Sequence, residues 1–332
     1  MTSDGKAGCG VEPVFLLSPP RSGSTLLQRM LGAHTAISTV AEPWLLLAPL
    51  YAGRPDGVYA EYSQETSAAA LEWFWQQLPG GRQDYLSEVG AMARRLYAKA
   101  SDHGARYFLD KTPRYSLVVD ELLDTFPDAK VIFLWRNPLA IVASIVDTWF
   151  AGRWMPYHHK VDLFTGLEKL MAAWPRHQDK SVSVRYEDLV ADPGAALGRI
   201  LRYLELPWEE SVVQDLSAAR VAGPVGDPTG VHRYPTVSRE PLDHWKATLA
   251  SPVRKAWCRR YLDWIGEQRM SVMGYDLDVL RKELDATPDR GGSLVPDLWY
   301  TAKGLVAVTI EPRILRSKVR RLPQWKNVHM HT

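Results

Sequence analysis

The chain reads as an α/β protein: a three-layer fold with a central parallel sheet and a P-loop-like phosphate loop. Three observations predict it. Short apolar runs alternate with amphipathic helical segments, the pattern of βαβ units. The run Val14–Leu17 ends in Ser-Pro-Pro-Arg-Ser-Gly and passes into a helix that opens at Ser24-Thr25. Three turns bearing Arg or Lys, at 19–25, 110–113 and 136–138, each follow an apolar run. In a parallel sheet all three lie at carboxyl ends of strands, where open α/β sheets bind ligands.

The elements follow in order. Residues 1–12 read as a flexible N-terminal tail, 13–285 as the main domain and 286–332 as a basic C-terminal extension. Pro13–Ser18 is a buried strand, followed by a helix to about Ala33, and Ile37–Val40 a second short strand. Residues 44–105 are mostly helical, broken by polar turns at 52–57 and Pro79–Arg82, with good helix formers over Ser87–Ala100. Arg106–Leu109 is a strand, 115–126 a helix that stops before Pro127, and Lys130–Trp135 a strongly apolar strand. Pro138 suits the first turn of the next helix. Ser181–Tyr186 is a further strand and 193–205 a helix. Residues 220–246 read as a loop and 251–273 as one long helix. Between Arg313 and Lys326 stand six basic residues and no acid.

Composition narrows the function classes. Of the 332 residues 46% are hydrophobic and 23% charged, ordinary for a globular protein. A net charge of +2 gives no bulk argument for nucleic acid as a partner. Cys9 and Cys258 provide neither a disulfide framework nor a metal cluster, which favours a reducing, cytoplasmic setting. The first ten residues lack an apolar signal core. Apolar runs such as Trp44–Leu50 are too short to span a bilayer.

The 14–25 segment reads as a phosphate cradle, with an ordinary capped helix after a strand and a surface Arg21 as the plainer alternative. Backbone N–H groups of a first helical turn and the positive end of the helix dipole converge on one spot. Gly23 permits the tight turn, and Arg21 adds a planar fork of donors. A nucleotide triphosphatase loop would carry Lys before Ser24-Thr25, and none is present. Arg136 and Ser144 are eight residues apart, across a strand end and the following helix. Such a pair can hold a second phosphate; a surface Arg and an ordinary helix Ser are the plainer alternative.

Pro-Pro-Arg-Ser-Gly-Ser-Thr-Leu-Leu at 19–27 resembles the 5′-phosphosulfate loop of sulfotransferases that use 3′-phosphoadenosine 5′-phosphosulfate (PAPS). Trp-Arg-Asn-Pro-Leu-Ala-Ile-Val-Ala-Ser at 135–144 resembles their 3′-phosphate motif. Arg-Tyr-Glu-Asp-Leu-Val-Ala-Asp-Pro at 185–193 resembles the family's next strand and helix start. The resemblance covers roughly 13–275 and is nearest to the branch of protein-tyrosine sulfotransferases and bacterial relatives.

The resemblance implies that Arg21 and the N–H groups of Ser22, Gly23, Ser24 and Thr25 hold the 5′-phosphosulfate. Arg136 and Ser144 would hold the 3′-phosphate, and Tyr186 would lie near the adenine or its phosphate. Arg239 would join the 3′-phosphate site from a late loop, although Glu240 stands where that loop's Gly is expected. Glu42 resembles the family's catalytic base, and Lys111 a Lys at the bridging oxygen, work that Arg21 would share. A carboxylate before Pro43 is also an ordinary helix cap. His34 is a rival base, so the choice between Glu42 and a His stays open. His158 and His159 fall in the aromatic segment Trp149–Lys160, which reads as an acceptor-side wall. Trp44, Trp73, Trp75, Trp149 and Trp154 either frame an acceptor pocket or pack in the core.

The implied function is in-line sulfuryl transfer from PAPS to an acceptor hydroxyl or amine with a general base, releasing 3′-phosphoadenosine 5′-phosphate (PAP) and needing no metal. The acceptor would be a small molecule, carbohydrate or lipid. The basic extension would meet a peripheral membrane, a carrier partner or a second subunit, a solvated tail being the plainer alternative. The alternatives are a P-loop kinase or nucleotide hydrolase, revived by a magnesium requirement, and a binding protein that keeps the fold without chemistry.

Overall fold

A computed structural model of the chain describes residues 10–58, 60–214, 242–289 and 294–310. Five strands, β1 (Glu12–Leu17), β2 (Ile37–Thr39), β3 (Tyr107–Asp110), β4 (Lys130–Trp135) and β5 (Ser181–Arg185), form one parallel sheet in the order β2-β3-β1-β4-β5. Val14 of β1 is in register with Leu109 of β3 and Lys130 of β4.

The helices are α1 (Ser24–Gly32), α2 (Leu47–Tyr51), α3 (Gln64–Trp75), α4 (Arg82–Ala100), α5 (Val119–Thr125), α6 (Pro138–Phe150) and α7 (Leu167–His177). They continue with α8 (Tyr186–Ala191), α9 (Pro193–Tyr203), α10 (Ser211–Gln214), α11 (His244–Thr248), α12 (Pro252–Val272), α13 (Leu277–Ala286) and α14 (Leu294–Ile310).

The strand period of two sorts the core into two layers. Val14 and Leu16 face α1, α8 and α9 through Leu27, Leu31, Leu189, Leu197 and Ile200. Phe15 and Leu17 face the opposite side, with Leu122, Ile141, Val142, Leu170 and Leu262. β4 alternates likewise, Ile132 and Leu134 against Phe133 and Trp135. Continuous apolar strands are the mark of a sheet covered on both faces.

The expected sheet and helices stand where the sequence puts them, with instructive differences. The 115–126 helix begins as a 3-10 turn over Pro113–Val118 before α5. α4 starts at Arg82, five residues ahead of the expectation, capped by Gly81 at φ 61°. α12 is broken at Gly266, whose φ of 71° lies outside the helical region. The π-turn Val161–Gly166 and α7 had no counterpart in the sequence reading, because a π-turn and a proline inside the helix blur the 3.6-residue period. Helix α14 occupies part of the 286–332 extension and packs on α12 through a buried Arg254–Asp297 pair. Cys258 is buried, and burial pushes its thiol far above the usual range; Cys9 lies outside the described residues. No described helix is long and apolar enough to cross a membrane.

The strand order decides where a ligand binds. From β1 the chain goes first to β2 and β3 on one side and then to β4 and β5 on the other. The loops leaving β1 and β4 therefore diverge at a switch point, the crevice in which open α/β sheets bind ligands.

Candidate active site

The turn between β1 and α1 is held in left-handed backbone twice, at Arg21 (φ 65°) and Gly23 (φ 84°). Arg21 takes this conformation against the preference of a residue with a side chain. Arg136, from the end of β4, donates Nη1–H to the Arg21 carbonyl at 2.7 Å and so pins it. Gly23 is required on two counts. Its φ is positive, and an added Cβ would come within 2.3 Å of the Tyr186 ring. Gly23 opens α1 without any side-chain cap, which leaves the first-turn N–H groups of Ser24 and Thr25 facing the crevice.

Arg21, Arg136, Ser144 and Tyr186 converge. Arg21 donates Nε–H to Ser144 Oγ at 3.1 Å. The Arg136 guanidinium lies over the Tyr186 ring at 4.4 Å. Burial pulls Arg136 below its ordinary value, Tyr186 and Glu187 oppose that, and the Arg21 charge adds to it. Two guanidinium groups held this close are a site that an anion relieves. Among the described residues, the buried Ser18 and Ser22 hydroxyls make no hydrogen bond. Orphaned hydroxyls beside helix N–H groups and paired arginines fit a phosphate-bearing ligand.

The second part of the site comes from the ends of β2 and β3. Lys111 Nζ is 2.6 Å from Glu42 Oε1 and 3.5 Å from Thr25 Oγ1, so it joins the carboxylate to the cradle. Glu42 Oε2 accepts from Trp44 Nε1–H at 3.1 Å. Lys111 is buried at 2% side-chain exposure and Glu42 nearly so at 10%. The pair faces Arg21 and the α1 N-terminus across the crevice.

Other expected residues fall elsewhere. His34 is buried at the far end of α1: its Nδ1 accepts from the Ala36 N–H, so Nε2 donates to the Pro207 carbonyl. Both ring nitrogens have backbone partners away from the cradle, and this corrects His34 as a rival base. Arg239 lies outside the described residues. Trp75 and Trp154 pack in the core and Trp73 is exposed on α3; Trp44 and Trp149 stand at the site. The Arg21 guanidinium lies over the Trp149 ring at 5.6 Å, and Trp149 stacks on His159 at 4.2 Å. His159 in turn bonds Asp162, which also holds Arg114.

Two supporting carboxylates were missed in the sequence. Asp110 is fully buried and accepts from the hydroxyls of Tyr97, Tyr115 and Thr112 at 2.6, 3.0 and 3.0 Å. Burial raises it to about 6 against those three bonds, and it anchors the turn that carries Lys111. Glu187 accepts from the Asn137 N–H and the Tyr275 hydroxyl and ties the Arg136 turn to α8. The Asp-Lys-Thr-Pro and Arg-Tyr-Glu-Asp strings were visible, but their partners are remote in sequence. Among the described residues there is no group of three or more His, Cys, Asp or Glu side chains able to hold a metal ion.

Fold and site together define a parallel α/β protein with two arginines gathered at the turn of its switch point and an ion-paired carboxylate beside them. The chain belongs to the sulfotransferase family, whose sequence profile matches residues 13–210. It is 34% identical over 225 residues to nodulation protein NoeE of Sinorhizobium fredii, covering 65% of this chain and 51% of that protein. It is 26% identical over 226 residues to protein-tyrosine sulfotransferase 1 of Danio rerio, covering 64% of this chain and 58% of that one. The chain thus spans about half the length of these curated relatives. The sulfotransferase domain of the Synechococcus PCC 7002 olefin synthase superposes with a TM-score of 0.55 at 24% identity, covering 80% of this chain and 96% of that one, a likeness of fold.

Proposed function

We propose that this protein moves the sulfuryl group of PAPS to an acceptor hydroxyl or amine and releases PAP. The observation that carries the reading is the Lys111–Glu42 ion pair set against the Arg21 cradle. Arg21 and the N–H groups of Ser22 to Thr25 hold the 5′-phosphosulfate. Arg136 and Ser144 hold the 3′-phosphate, and Tyr186 flanks the nucleotide.

PAPS supplies an activated sulfuryl group on a phosphate leaving group. Glu42 takes the acceptor's proton as the acceptor oxygen or nitrogen bonds to sulfur. The bond from sulfur to the bridging phosphate oxygen breaks in line, and Lys111 and Arg21 meet the charge that grows there. Trp44 Nε1 orients the carboxylate. Positioning and fixed positive charge do the rest. Trp44 and Trp149 flank the acceptor side, for which a small molecule, carbohydrate or lipid is proposed, in the cytoplasm.

The test is a thermal-shift comparison of PAP, ATP and GTP, with and without magnesium. A ligand at about a hundred times its Kd adds roughly 2.7 kcal/mol of stability. A metal-independent shift with PAP is the expected result. A magnesium-dependent shift with ATP or GTP, and none with PAP, overturns the reading in favour of a kinase or hydrolase.

A further inference from the structure

Helix α14 reverses the pattern of an ordinary surface helix. Its inward face is Asp297, Tyr300, Thr301 and Gly304, at the i, i+3, i+4, i+7 spacing of one helical side. Asp297 is buried and accepts from Arg254 Nε and Nη2 at 2.9 and 2.8 Å. Tyr300 packs against the core. Gly304 sits so close to Tyr157 that a Cβ would lie 2.5 Å from its ring. The helix is therefore docked in one rotation by an ion pair and a close contact.

That rotation turns apolar residues to solvent. Val295, Leu298, Trp299 and Val306 are 76%, 54%, 68% and 58% exposed, and Leu305 is exposed with them. Surface helices usually present charge on this side. Single exposed apolar residues are unremarkable, but a contiguous stripe marks an interaction surface.

The chain just beyond points to the occupant. Arg313, Arg316, Lys318, Arg320, Arg321 and Lys326 follow within one short stretch that holds no acid. An apolar helical face joined to a cationic segment is what an anionic lipid surface recognises. The apolar side chains enter the headgroup boundary and the bases meet lipid charge.

We propose that the outward face of α14 docks this protein on an anionic lipid bilayer, an occupant favoured by the basic sequence that follows it. The inference does not depend on the donor or acceptor assigned above. Through Tyr157 the helix packs on the segment that carries His158 and His159, so docking would set the acceptor side of the site beside the bilayer.

The experiment is co-sedimentation of the full chain with vesicles, read without turnover. One set is phosphatidylcholine alone; the other includes about a third phosphatidylglycerol, at low and high salt. Partition onto anionic vesicles is expected to be at least about ten-fold stronger and to fall at high salt. Leu298→Ser with Trp299→Ser should lower it about ten-fold or more. Arg320→Glu with Arg321→Glu should lower it by at least ~25-fold, about five-fold for each base lost. Equal partition onto both vesicle types, or variants that bind like the parent, overturns the proposal. So does a dimer in size-exclusion chromatography that Trp299→Ser dissociates while vesicle binding is absent. A circular-dichroism melt checks that the exposed-face variants fold, and the charge reversals test the proposal in any case.

Discussion

Lys111 Nζ and Glu42 Oε1 lie 2.6 Å apart, although 69 residues separate them in the chain. They meet because β2 and β3 are adjacent and parallel, with Thr39 in register with Leu109. The residues that leave the two carboxyl ends therefore arrive side by side. The adjacent crevice floor is α1, whose Thr25 completes the contact to Lys111. One side of the crevice thus carries an ion-paired carboxylate, and the other carries Arg21 and Arg136.

Replacing Glu42 by Gln should lower turnover by about 10²- to 10⁴-fold, the usual contribution of a positioned base. PAP affinity should stay within a few-fold of the parent, since Glu42 is not among the donor's ligands. Single-turnover kinetics alongside PAP titration separates the two. A variant that loses PAP binding in proportion to rate would make Glu42 a structural partner of Lys111 alone.

Arg136→Lys should weaken PAP about ten-fold or more and adenosine 5′-phosphate far less. A hydrogen bond to a charged group is worth roughly 1.5–3 kcal/mol, and a Lys cannot reproduce the planar fork. Calorimetric titration of both nucleotides measures the difference. Equal loss for both would place Arg136 on the shared phosphate or in the backbone contact to Arg21.

Gly23→Ala should abolish donor binding and lower Tm by several degrees. The added methyl meets the Tyr186 ring at 2.3 Å in a backbone conformation with positive φ. Pairing it with Tyr186→Ala should recover part of the stability, because the steric component disappears while the strained φ remains.

Asp110 predicts a stability change with pH. Burial raises it from 3.8 to about 6, so the folded state binds its proton more tightly than the unfolded chain. Its contribution is complete below about pH 4 and is lost as pH rises to about 6, on the order of 3 kcal/mol in all. Melts of the parent and Asp110→Asn, the neutral isostere, should lie closest near pH 4, separate as pH rises to about 6 with the parent losing stability relative to the variant, and run parallel above it. A constant difference across the range would refute the assignment.

Asp297→Ala leaves Arg254 without its carboxylate, and breaking such buried pairs typically costs about 3–5 kcal/mol. Most of that cost should appear as local release of α14. Hydrogen exchange should show lost protection over 294–306 while β1 and β4 keep theirs. The same variant should bind anionic vesicles differently if the docked rotation of α14 presents its apolar face.

Much of the fold was legible because it is written in local periods. β1 and β4 are apolar on both faces, and Pro138 marks the start of α6 as a proline at the first turn should. Arg21 and Gly23 were legible as a turn because the strand, turn and helix that carry them are contiguous, whereas the contacts of Arg21 with Arg136 and Ser144 are long-range and appear only in the structure. The π-turn before α7 and the break at Gly266 were not, since neither follows a single helical period.

By itself the sequence determined the parallel α/β class and the strand–turn–helix after β1. Those features rest on interactions within a few residues, which any local reading captures. Only the tertiary structure decided that His34 faces Pro207 and not the crevice, and that Asp110 and Glu187 brace the loops of Lys111 and Arg136. It also decided that α14 turns its apolar side outward. Each of these depends on which strands are neighbours and how a helix is rotated on the core. Those are properties of long-range packing that no stretch of the chain carries alone.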